Sequence, residues 1–591
     1  MSERFAPGRE LGDHPDVFQG FALSGSRFAP LLRRRGLPLV AFVLLCGFLQ
    51  TPERVDTAAI EKIKAEAMRQ SQVMEIARNL TNVYGARLTN SPSIKAAGEY
   101  TRKKLVEWKL DDVHLEPWNF GVGWTNDKFS VKVVSEPNLS LLAYPKAWTP
   151  GTNGPITAEA VEAVIKTEAD FERLRGKLRG KIVMILPAPP AGPAAAQNVK
   201  RFTDDELRAL VDSPTPAAAA PRQAAAEPAT PVPTPAAPEA ETGFFAWIEN
   251  ALSAAPAQPA GPVRQTPRPA ALTRDRVTAF YLQEGVAAMI EPAPSRDGAV
   301  FAVTATGEPN FWKKDLKTTK VPPQLAIAAE QYGKIMDTIQ KSGPLMMEID
   351  IRNSYLSQDP NSFNVVADIK GTDKADQFVV LGAHLDSWHL GKGATDNAAG
   401  VAVVMEAVRI LKAAGLPMRR TVRLGLWTGE EEGLLGSRAF VDKYFINRPI
   451  SQTKAGHEKL SGYFNVDNGT GAIRGVYMQG NTAINPIFEA YMSPLKSFGM
   501  TTLSSRSVGG TDHVSFDSAG LPGFQFIQDP IEYDSRTHHT NLDTFERLLS
   551  EDLTKNAAIV ASFVYLTANR DEPLPRKPLP KSIRPAGSPV P

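Results

Sequence analysis

Residues 381–437 constrain the fold more than any other stretch, because the spacing of apolar residues changes twice within and around this stretch. The apolar run over 376–381 has the length of a buried strand. From Ala398, apolar residues recur at spacings of three and four, which predicts an amphipathic helix closed at Gly415. A second buried strand is predicted over 421–427. Strand, helix and strand in this order are typical of an open α/β sheet.

Polar side chains stand where these predicted elements end. His384 and Asp386 follow the first strand and, being two residues apart on an extended chain, share a face. Asp396 stands at the start of the helix, and Glu430 and Glu431 follow the second strand. Ligands of such a sheet bind beyond its carboxyl edge. Since neutral imidazole and carboxylates are ligands for Zn²⁺ or a similar divalent ion, the sequence predicts a metal site there.

The positions of these polar residues also indicate different roles for them. Asp386 could accept a hydrogen bond from the second nitrogen of His384 and so fix its tautomer. The adjacent Glu430 and Glu431 cannot both ionise easily unless cations neutralise them, which fits one ligand and one general base. Any one of these residues alone could be a solvated loop residue. Occurring together in this order, they favour the metal site.

Two later segments complete the candidate set. Asp467 ends another apolar run, and His538, His539 and Asp543 follow a strand-like run. Each is weak evidence alone, because an Asp before a Gly turn is usually a turn residue. Together they supply the missing ligands.

Five separated segments carry a resemblance: GAHLDSW, GATDNAAG, TGEEEGLLGS, NVDNGTG and HHTNLDT. In this order they resemble the M28 family of dizinc exopeptidases. The pair His538 and His539, with HLDSW, is most similar to its carboxypeptidase Q (plasma glutamate carboxypeptidase) branch. The resemblance covers roughly residues 70–570, apart from an insertion.

The resemblance implies two zinc ions that share Asp396 as a bridge. It implies the following ligands: His384, Asp396 and Asp467 for one ion, and Asp396, Glu431 and His539 for the other. Glu430 would be the general base, and Asp386 would orient His384. His538 stands where many relatives have a tyrosine that polarises the scissile carbonyl. A pair of divalent ions would activate a water for peptide hydrolysis.

The fold class expected is α/β: a three-layer α/β/α catalytic domain with a mixed, mainly parallel sheet, plus an inserted β-rich protease-associated domain. The expected divisions are a leader at 1–50, the N-terminal helical part of the peptidase domain at 51–126, a protease-associated-like insert at 127–347, the catalytic domain at 348–570 and an unstructured Pro-rich tail at 571–591.

Part of the insert has a composition that disfavours folding. Residues 211–270 are roughly half Ala and Pro and cannot bury enough apolar surface to order themselves, which predicts a disordered insertion. Within it, residues 243–255 form a short amphipathic helix candidate. Packing against its own domain is favoured over a partner role, because so short a helix is marginal in isolation.

The start of the chain indicates export. Three arginines at 33–35 precede the apolar residues 36–49, as in a secretory signal, and this apolar run is short for the roughly 20 residues of a spanning helix. The expected location is periplasmic or extracellular. An uncleaved membrane anchor is left open, and membrane association is expected only in that case.

Composition excludes several classes of protein. A length of 591 residues predicts more than one domain. Because 66 basic and 64 acidic side chains nearly cancel, nothing indicates a nucleic-acid partner. The single cysteine, Cys46, excludes an intramolecular disulfide and a zinc site built from cysteines. A homodimer is left open.

The expected function is metal-dependent hydrolysis of short peptides or dipeptides. Aminopeptidase, dipeptidase and carboxypeptidase specificities are left open. Arg506 and Arg536 lie in loops near candidate site residues and could bind a substrate carboxylate, although solvated arginines are the simpler interpretation. Two alternatives keep the same fold: a non-catalytic binding module, and a glutaminyl cyclase with a single zinc. Asp512 and His513 are expected to support the cleft without binding metal.

Overall fold

Two large β-sheets organise the part of the chain that the structure describes, and a third sheet there has only two strands. The structure is a computed structural model, and it describes residues 53–585 except 136–138, 190–198, 213–271, 295–296, 309 and 316–317. The predicted leader at 1–50 and the helix candidate at 243–255 lie outside the described residues. So does the Ala/Pro-rich segment 211–270, apart from its first two residues, which end a helix. Within the described residues, no helix combines the length and the apolar character that crossing a bilayer requires.

The helices are numbered in chain order. They are α1 Thr57–Gln70, α2 Val73–Arg78, α3 Pro92–Glu107, α4 Glu168–Leu174, α5 Asp204–Asp212, α6 Arg274–Glu284, α7 Ala329–Ser342, α8 Ala399–Ala413, α9 Leu435–Tyr444, α10 Asn485–Met492, α11 His513–Asp517 and α12 Ser550–Asn569.

The strands are numbered in the same way. They are β1 Asp111–Asn119, β2 Gly123–Val133, β3 Ala143–Pro145, β4 Ile156–Glu162, β5 Ile182–Met184, β6 Ala288–Pro292, β7 Gln324–Ile327, β8 Leu345–Leu356, β9 Asn361–Ile369, β10 Lys374–His384, β11 Arg420–Trp427, β12 Ile446–Asn447, β13 Gln452–Thr453, β14 Leu460–Asn465, β15 Ile473–Tyr477, β16 Thr502–Ser504 and β17 Gly523–Gln528.

The first sheet has the strand order β1-β9-β11-β10-β14-β17-β15-β16 within the described residues. Its central strands β11, β10, β14 and β17 are parallel neighbours, whereas β1, β9 and β15 pair in antiparallel fashion. Because the central strands are parallel, their carboxyl ends meet at one edge. The predicted mixed, mainly parallel sheet is confirmed.

Helices cover both faces of this sheet. Helices α1, α8 and α12 contribute Ile60, Val404 and Ile559 to the core on one face. Helices α9 and α11 contribute Phe440 and Phe516 to the core on the other face. The predicted three-layer α/β/α arrangement is therefore confirmed.

Helix α8 lies between the sheet and the outer helices. Its side chains are buried on every side, as expected for a helix that is apolar all round. It also buries a charged group: Arg409 donates to Glu406 on the same helix and to Glu66 of α1, each at 2.8 Å. A buried guanidinium is tolerated because both carboxylates pair with it.

The second sheet lies, in the chain, between β1 and β9 of the first sheet. Its strand order is β2-β8-β4-β5-β6-β7-β3 within the described residues. Helix α7 packs against it through Tyr332, Ile335 and Met336, which join the buried residues of this sheet. The chain thus leaves the first sheet after one strand and builds a second before it returns.

The expectation of an unstructured tail is wrong for residues 571–585. The Leu574 side chain is buried in the core of the first sheet. Arg576 Nη2 donates to the main-chain oxygens of His457 and Leu460 at 2.8 and 2.7 Å, and Lys577 Nζ donates to that of Gln479 at 2.8 Å. These anchors order a segment whose average composition disfavours structure.

Candidate metal centre

The predicted site residues meet at the carboxyl edge of the parallel strands. His384 is the last residue of β10, and Glu430 and Glu431 follow the end of β11. Asp467 follows the end of β14. Asp396 precedes helix α8, and its peptide bond to Asn397 is cis. The parallel register therefore brings together residues that stand far apart in the sequence.

Helix α8 can begin close to β14 because residue 400 is a glycine. A Cβ atom at Gly400 would lie 2.2 Å from the main-chain oxygen of Val466. The Asn397 side chain spans the same gap by donating to that oxygen at 2.9 Å. These contacts hold Asp396 beside Asp467.

Asp396 lies at the centre of the cluster. Its Oδ1 is 3.2 Å from His384 Nε2, and its Oδ2 is 3.3 Å from His539 Nε2. His384 Nε2 is also 3.3 Å from Asp467 Oδ1. His539 Nε2 is 2.9 Å from Glu431 Oε2. The other four predicted ligands thus lie around the Asp396 carboxylate, whose two oxygens face different imidazoles.

His538 lies at the outer side of the cluster. Its Nε2 is 3.9 Å from Asp396 Oδ2, and its ring centroid is 3.8 Å from that of His539. The His538 side chain is 41% exposed, whereas the His539 side chain is 21% exposed. His538 is therefore the more accessible imidazole of the pair to a molecule that enters from solvent.

The electrostatics of the cluster fit a divalent cation. Asp396 Oδ2 and Glu431 Oε1 are buried and accept no hydrogen bond from the described residues. Burial, followed by the charge of Asp396, raises the pKa of Glu431 well above its usual range. Burial also opposes ionisation of Asp396, but the hydrogen bond from His384 and the nearby histidines hold its pKa below its ordinary value. Buried carboxylate oxygens without donors are costly unless a cation compensates them.

Glu430 lies inside the cluster. Its side chain is buried, and burial raises its pKa well above the usual range, with Asp467 and Asp512 adding to the effect and His384 opposing it. A carboxyl group whose pKa is raised by burial suits general acid–base chemistry.

Asp386 supports the cluster in a different way from that predicted. His384 Nδ1 lies 3.1 Å from the main-chain oxygen of Asp386 and 3.6 Å from its carboxylate. The carboxylate accepts instead from Thr89 Oγ1 at 3.0 Å and from the main-chain N–H of Glu431 at 3.3 Å. Asp386 thus contacts His384 mainly through its backbone and holds the Glu431 turn through its side chain.

Two supporting residues were not given roles by sequence reasoning. Asp543 accepts from the main-chain N–H groups of Thr395 and Asp396 at 2.7 and 3.1 Å. Burial, followed by the charge of Asp396, raises the pKa of the Asp543 carboxyl to about 7. Thr89 links two turns, because it donates to Asp386 and accepts from the N–H of Gly429 at 3.0 Å. Asp543 lies within the HHTNLDT segment, so its position was a usable signal; nothing marked Thr89.

Arg87 is the third supporting residue, and its guanidinium is fully buried. It donates to five main-chain oxygens, those of Leu80, Gly85, Leu385, Lys392 and Gly393. Burial lowers the pKa of this guanidinium to about 10. Arg87 therefore ties the N-terminal helices to the turns on either side of the cluster.

The remaining predicted polar residues lie outside the set of five candidate ligands. His513 Nε2 contacts the Val508 main-chain oxygen at 3.0 Å and Gln479 Nε2 at 2.7 Å. Burial raises the pKa of Asp512 to about 7. Arg536 is paired with Glu532 at 3.1 Å and lies 3.7 Å from Asp297. Its guanidinium is therefore bound within the protein.

An aromatic wall lies beside His539. The ring centroids of Phe301 and Trp388 lie 5.7 and 6.1 Å from that of His539. Phe301 and Thr540 form an isolated antiparallel β-bridge through their backbones. Asn541 Oδ1 accepts a hydrogen bond from the N–H of Val300 at 2.6 Å. Residues that precede β7 of the second sheet therefore contact the segment that carries the two histidines.

Comparison with known proteins finds relatives of the part of the chain that carries this site. Residues 364–564 match the model of peptidase family M28. Carboxypeptidase Q from Homo sapiens is 34% identical over 218 residues, which are 37% of this chain and 44% of the relative. Aminopeptidase YwaD from Bacillus subtilis is 30% identical over 217 residues, which are 36% of this chain and 44% of the relative. The matches thus span less than half the length of these relatives.

Two solved structures share the fold. A peptidase M28 precursor from Shewanella amazonensis has a TM-score of 0.61 at 23% identity, covering 89% of this chain and 98% of its own. BSAP, a zinc aminopeptidase from Bacillus subtilis, has a TM-score of 0.52 at 17% identity, covering 85% and 95%. Through residues 364–564, the chain therefore carries a domain of peptidase family M28 that is similar to that of the carboxypeptidases Q.

Proposed function

We propose that the protein is a zinc-dependent exopeptidase that hydrolyses short peptides or dipeptides. The observation that carries the proposal is the Asp396 carboxylate, whose oxygens face His384 on one side and His539 on the other. Buried oxygens without donors on Asp396 and Glu431 support a divalent cation at this point. The similarity to aminopeptidase YwaD and to the zinc aminopeptidase BSAP supports the same assignment.

Two zinc ions are proposed, with one group of residues for each. His384, Asp396 and Asp467 would hold the first, and Asp396, Glu431 and His539 would hold the second, so that Asp396 bridges. When bound, the ions supply Lewis acidity that acidifies a water and polarises the peptide carbonyl. The distances around Asp396 support this division.

The proposed chemistry of the protein's own groups begins with Glu430. It accepts the proton of the attacking water and returns it to the leaving amine, which its raised pKa supports. His538, the exposed imidazole of the pair, donates a hydrogen bond to the carbonyl oxygen as negative charge develops there. Asp386 and Asp543 keep the ligand-bearing turns in place through their hydrogen bonds.

Binding of the peptide through its free amino group is favoured. Arg536 is already paired with Glu532 and lies near Asp297, so it would have to leave both to bind a substrate carboxylate. Residues 127–347 would act as a protease-associated-like insert that frames the cleft, which the contacts of Phe301 and Asn541 support. Export and a homodimer stay predictions from the sequence.

The test combines zinc content with an assay on dipeptides that are unblocked, amino-blocked or carboxyl-blocked. Wild type should hold about two zinc ions and hydrolyse substrates with a free amino end. Glu430→Gln should keep the zinc and lose at least about 10²-fold in kcat, because proton transfer by a positioned group contributes about 10²–10⁴-fold. Glu551→Gln, at an exposed position on α12, is the matched control.

Each alternative gives a different result. About one zinc per chain without dipeptide hydrolysis would indicate a glutaminyl cyclase. Protein without turnover and without zinc would indicate a binding module. Near-normal turnover by Glu430→Gln would refute the assignment of the general base.

A further inference from the structure

Residues 199–212, called the strap, leave the second sheet and dock on the first. In the chain the strap lies between β5 and α6, which both pack within the second sheet region. Its helix α5 lies beside β16, the last strand of the first sheet, and Ser504 Oγ donates to the Leu210 main-chain oxygen at 2.6 Å. The strap is therefore not part of either sheet, but its contacts join the second sheet region to the first sheet.

A buried carboxylate fixes the start of the strap. Asp529, which directly follows β17, is fully buried. It accepts from Arg201 Nη1 at 3.0 Å, from the N–H of Phe202 at 2.9 Å and from Arg474 Nη1 at 3.0 Å. Arg201 Nη1 also lies 2.7 Å from Asp552 Oδ2 in the first turn of α12. Arg201 thus connects two elements of the first sheet domain at one point.

Asp529 also begins the segment that ends in the two site histidines. Two residues later, the N–H of Ile531 donates to the strap oxygen of Lys200 at 3.4 Å. Ile531 and Glu532 have φ values of 30° and 59°, and His539 has 59°. A β-branched residue with positive φ is an outlier, and such a backbone persists only where its surroundings over-determine it. The hydrogen bonds that Asp529 accepts from Arg201, Phe202 and Arg474 lie two residues before Ile531 and supply that restraint.

The far end of the same segment is held as well. Asn541 accepts from the N–H of Val300, and Phe301 bridges Thr540. Residues 529–541 are therefore tied at both ends to parts of the chain that belong to the second sheet region. Between these ties lie His538 and His539, and His539 reaches Asp396 and Glu431.

We propose that Arg201 is a positioning residue for His539, acting through Asp529 and the backbone of residues 529–539. The inference rests on the proposed function, because His539 matters to the reaction as a ligand. Removal of the Arg201 guanidinium frees one oxygen of Asp529 and weakens the restraint on Ile531. The imidazole of His539 then samples positions away from Asp396.

The test compares Arg201→Met with Arg208→Met, which removes an exposed arginine of the same strap that pairs with Asp205. Three quantities are measured: hydrogen exchange of the amides at 530–540, zinc affinity by calorimetric titration of the metal-free protein with Zn²⁺, and kcat and KM separately. For Arg201→Met we expect about tenfold faster exchange there and a dissociation constant raised about 10-fold or more for the weaker-bound zinc. The expected fall in kcat is of similar size, with KM nearly unchanged.

Several outcomes decide the proposal. Arg201→Lys should recover part of the zinc affinity, because an ammonium can still contact Asp529, and Arg208→Met should match wild type. Unchanged exchange and zinc affinity in Arg201→Met would overturn the proposal. So would equal acceleration of exchange in β10, since that would reveal general destabilisation.

The readouts separate this inference from the proposed function. If wild type showed no peptidase activity, exchange and zinc titration would still test the coupling of Arg201 to His539. If Arg201→Met failed to fold, Arg201→Lys would replace it, because an ammonium keeps only part of the guanidinium's contacts with Asp529 and Asp552. Exchange at 530–540 in Arg201→Lys that is faster than in wild type supports the proposal, and exchange equal to that of wild type contradicts it.

Discussion

At the scale of single residues, Arg87 shows how a buried charge can organise a site without entering it. Its guanidinium donates to main-chain oxygens from three turns, including that of Leu385, 298 positions away in the sequence. The planar fork of arginine serves several acceptors at fixed angles, which a lysine cannot do. Arg87 therefore links the N-terminal helices to the metal-binding turns.

Arg87→Lys should lower the free energy of unfolding by about 2–6 kcal/mol, because at least two buried carbonyl groups lose their donor and each costs about 1–3 kcal/mol. Urea denaturation followed by circular dichroism measures this change. Arg102→Lys, on the surface of α3 beside Glu99, is the control and should change stability by less than about 0.5 kcal/mol. A urea midpoint for Arg87→Lys equal to that of wild type would contradict this role of the Arg87 guanidinium.

Residue type and position at strand ends predicted a metal site at this edge of the sheet, whereas the set of five ligands was implied by the family resemblance. The structure places His384, Asp396, Glu431, Asp467 and His539 close together, because parallel strands bring their carboxyl ends to one edge. The supporting contacts were beyond prediction, since a pair such as Arg87 and Leu385 has no periodic or compositional signature. The backbone contact of Asp386 with His384 depends on a turn geometry that sequence does not specify.

At the scale of elements, helix α4 carries a cap that makes stability depend on pH. Asp170 Oδ2 accepts from the N–H groups of Lys166 and Thr167, each at 2.9 Å, and Arg173 donates to its other oxygen. Despite some burial, these donors lower the pKa of Asp170 to about 2. Because the folded-state pKa lies below the ordinary value, the ionised cap stabilises the fold above about pH 4 and is lost as pH falls toward 2.

Asp170→Asn should therefore cost about 1 kcal/mol at pH 6, as for other lost caps, and the difference from wild type should shrink between about pH 4 and pH 2. Urea unfolding at several pH values measures it. Asp337→Asn, at an exposed position on α7, is the control. A pH-independent difference for Asp170→Asn would show that the carboxylate charge is not the cause.

Element boundaries followed closely from periodicity where burial is simple. The predicted helix from Ala398 is observed as α8, and Gly415 takes the left-handed conformation just beyond its end. The tail was predicted wrongly because composition averages over residues, whereas a single Leu574 in the core and a single Arg576 on main-chain oxygens decide its order.

At the scale of the whole molecule, the candidate metal centre connects three central strands with the segment that carries His538 and His539. A zinc ion that binds only the folded state stabilises it, by about 4 kcal/mol at a thousandfold excess over Kd. We expect the melting temperature to fall when zinc is removed with a chelator and to recover when zinc is restored, which scanning calorimetry measures. Glu430→Gln should keep this response, because it is not a proposed ligand, whereas Asp396→Asn should lose most of it. Equal melting temperatures for zinc-loaded and metal-free wild type would contradict the centre.

The pairing of the ends of the domain has a consequence for synthesis. Strand β1 pairs with β9, although the whole second sheet region separates them in the sequence. Tyr565 of α12, the last helix among the described residues, donates to Asp56, which precedes α1. While the ribosome is still translating, the apolar faces of the first helices have no partner. At about 5–20 residues per second, they wait on the order of tens of seconds for the final helix to emerge. During that interval the nascent polypeptide offers a chaperone an apolar surface that the finished protein conceals.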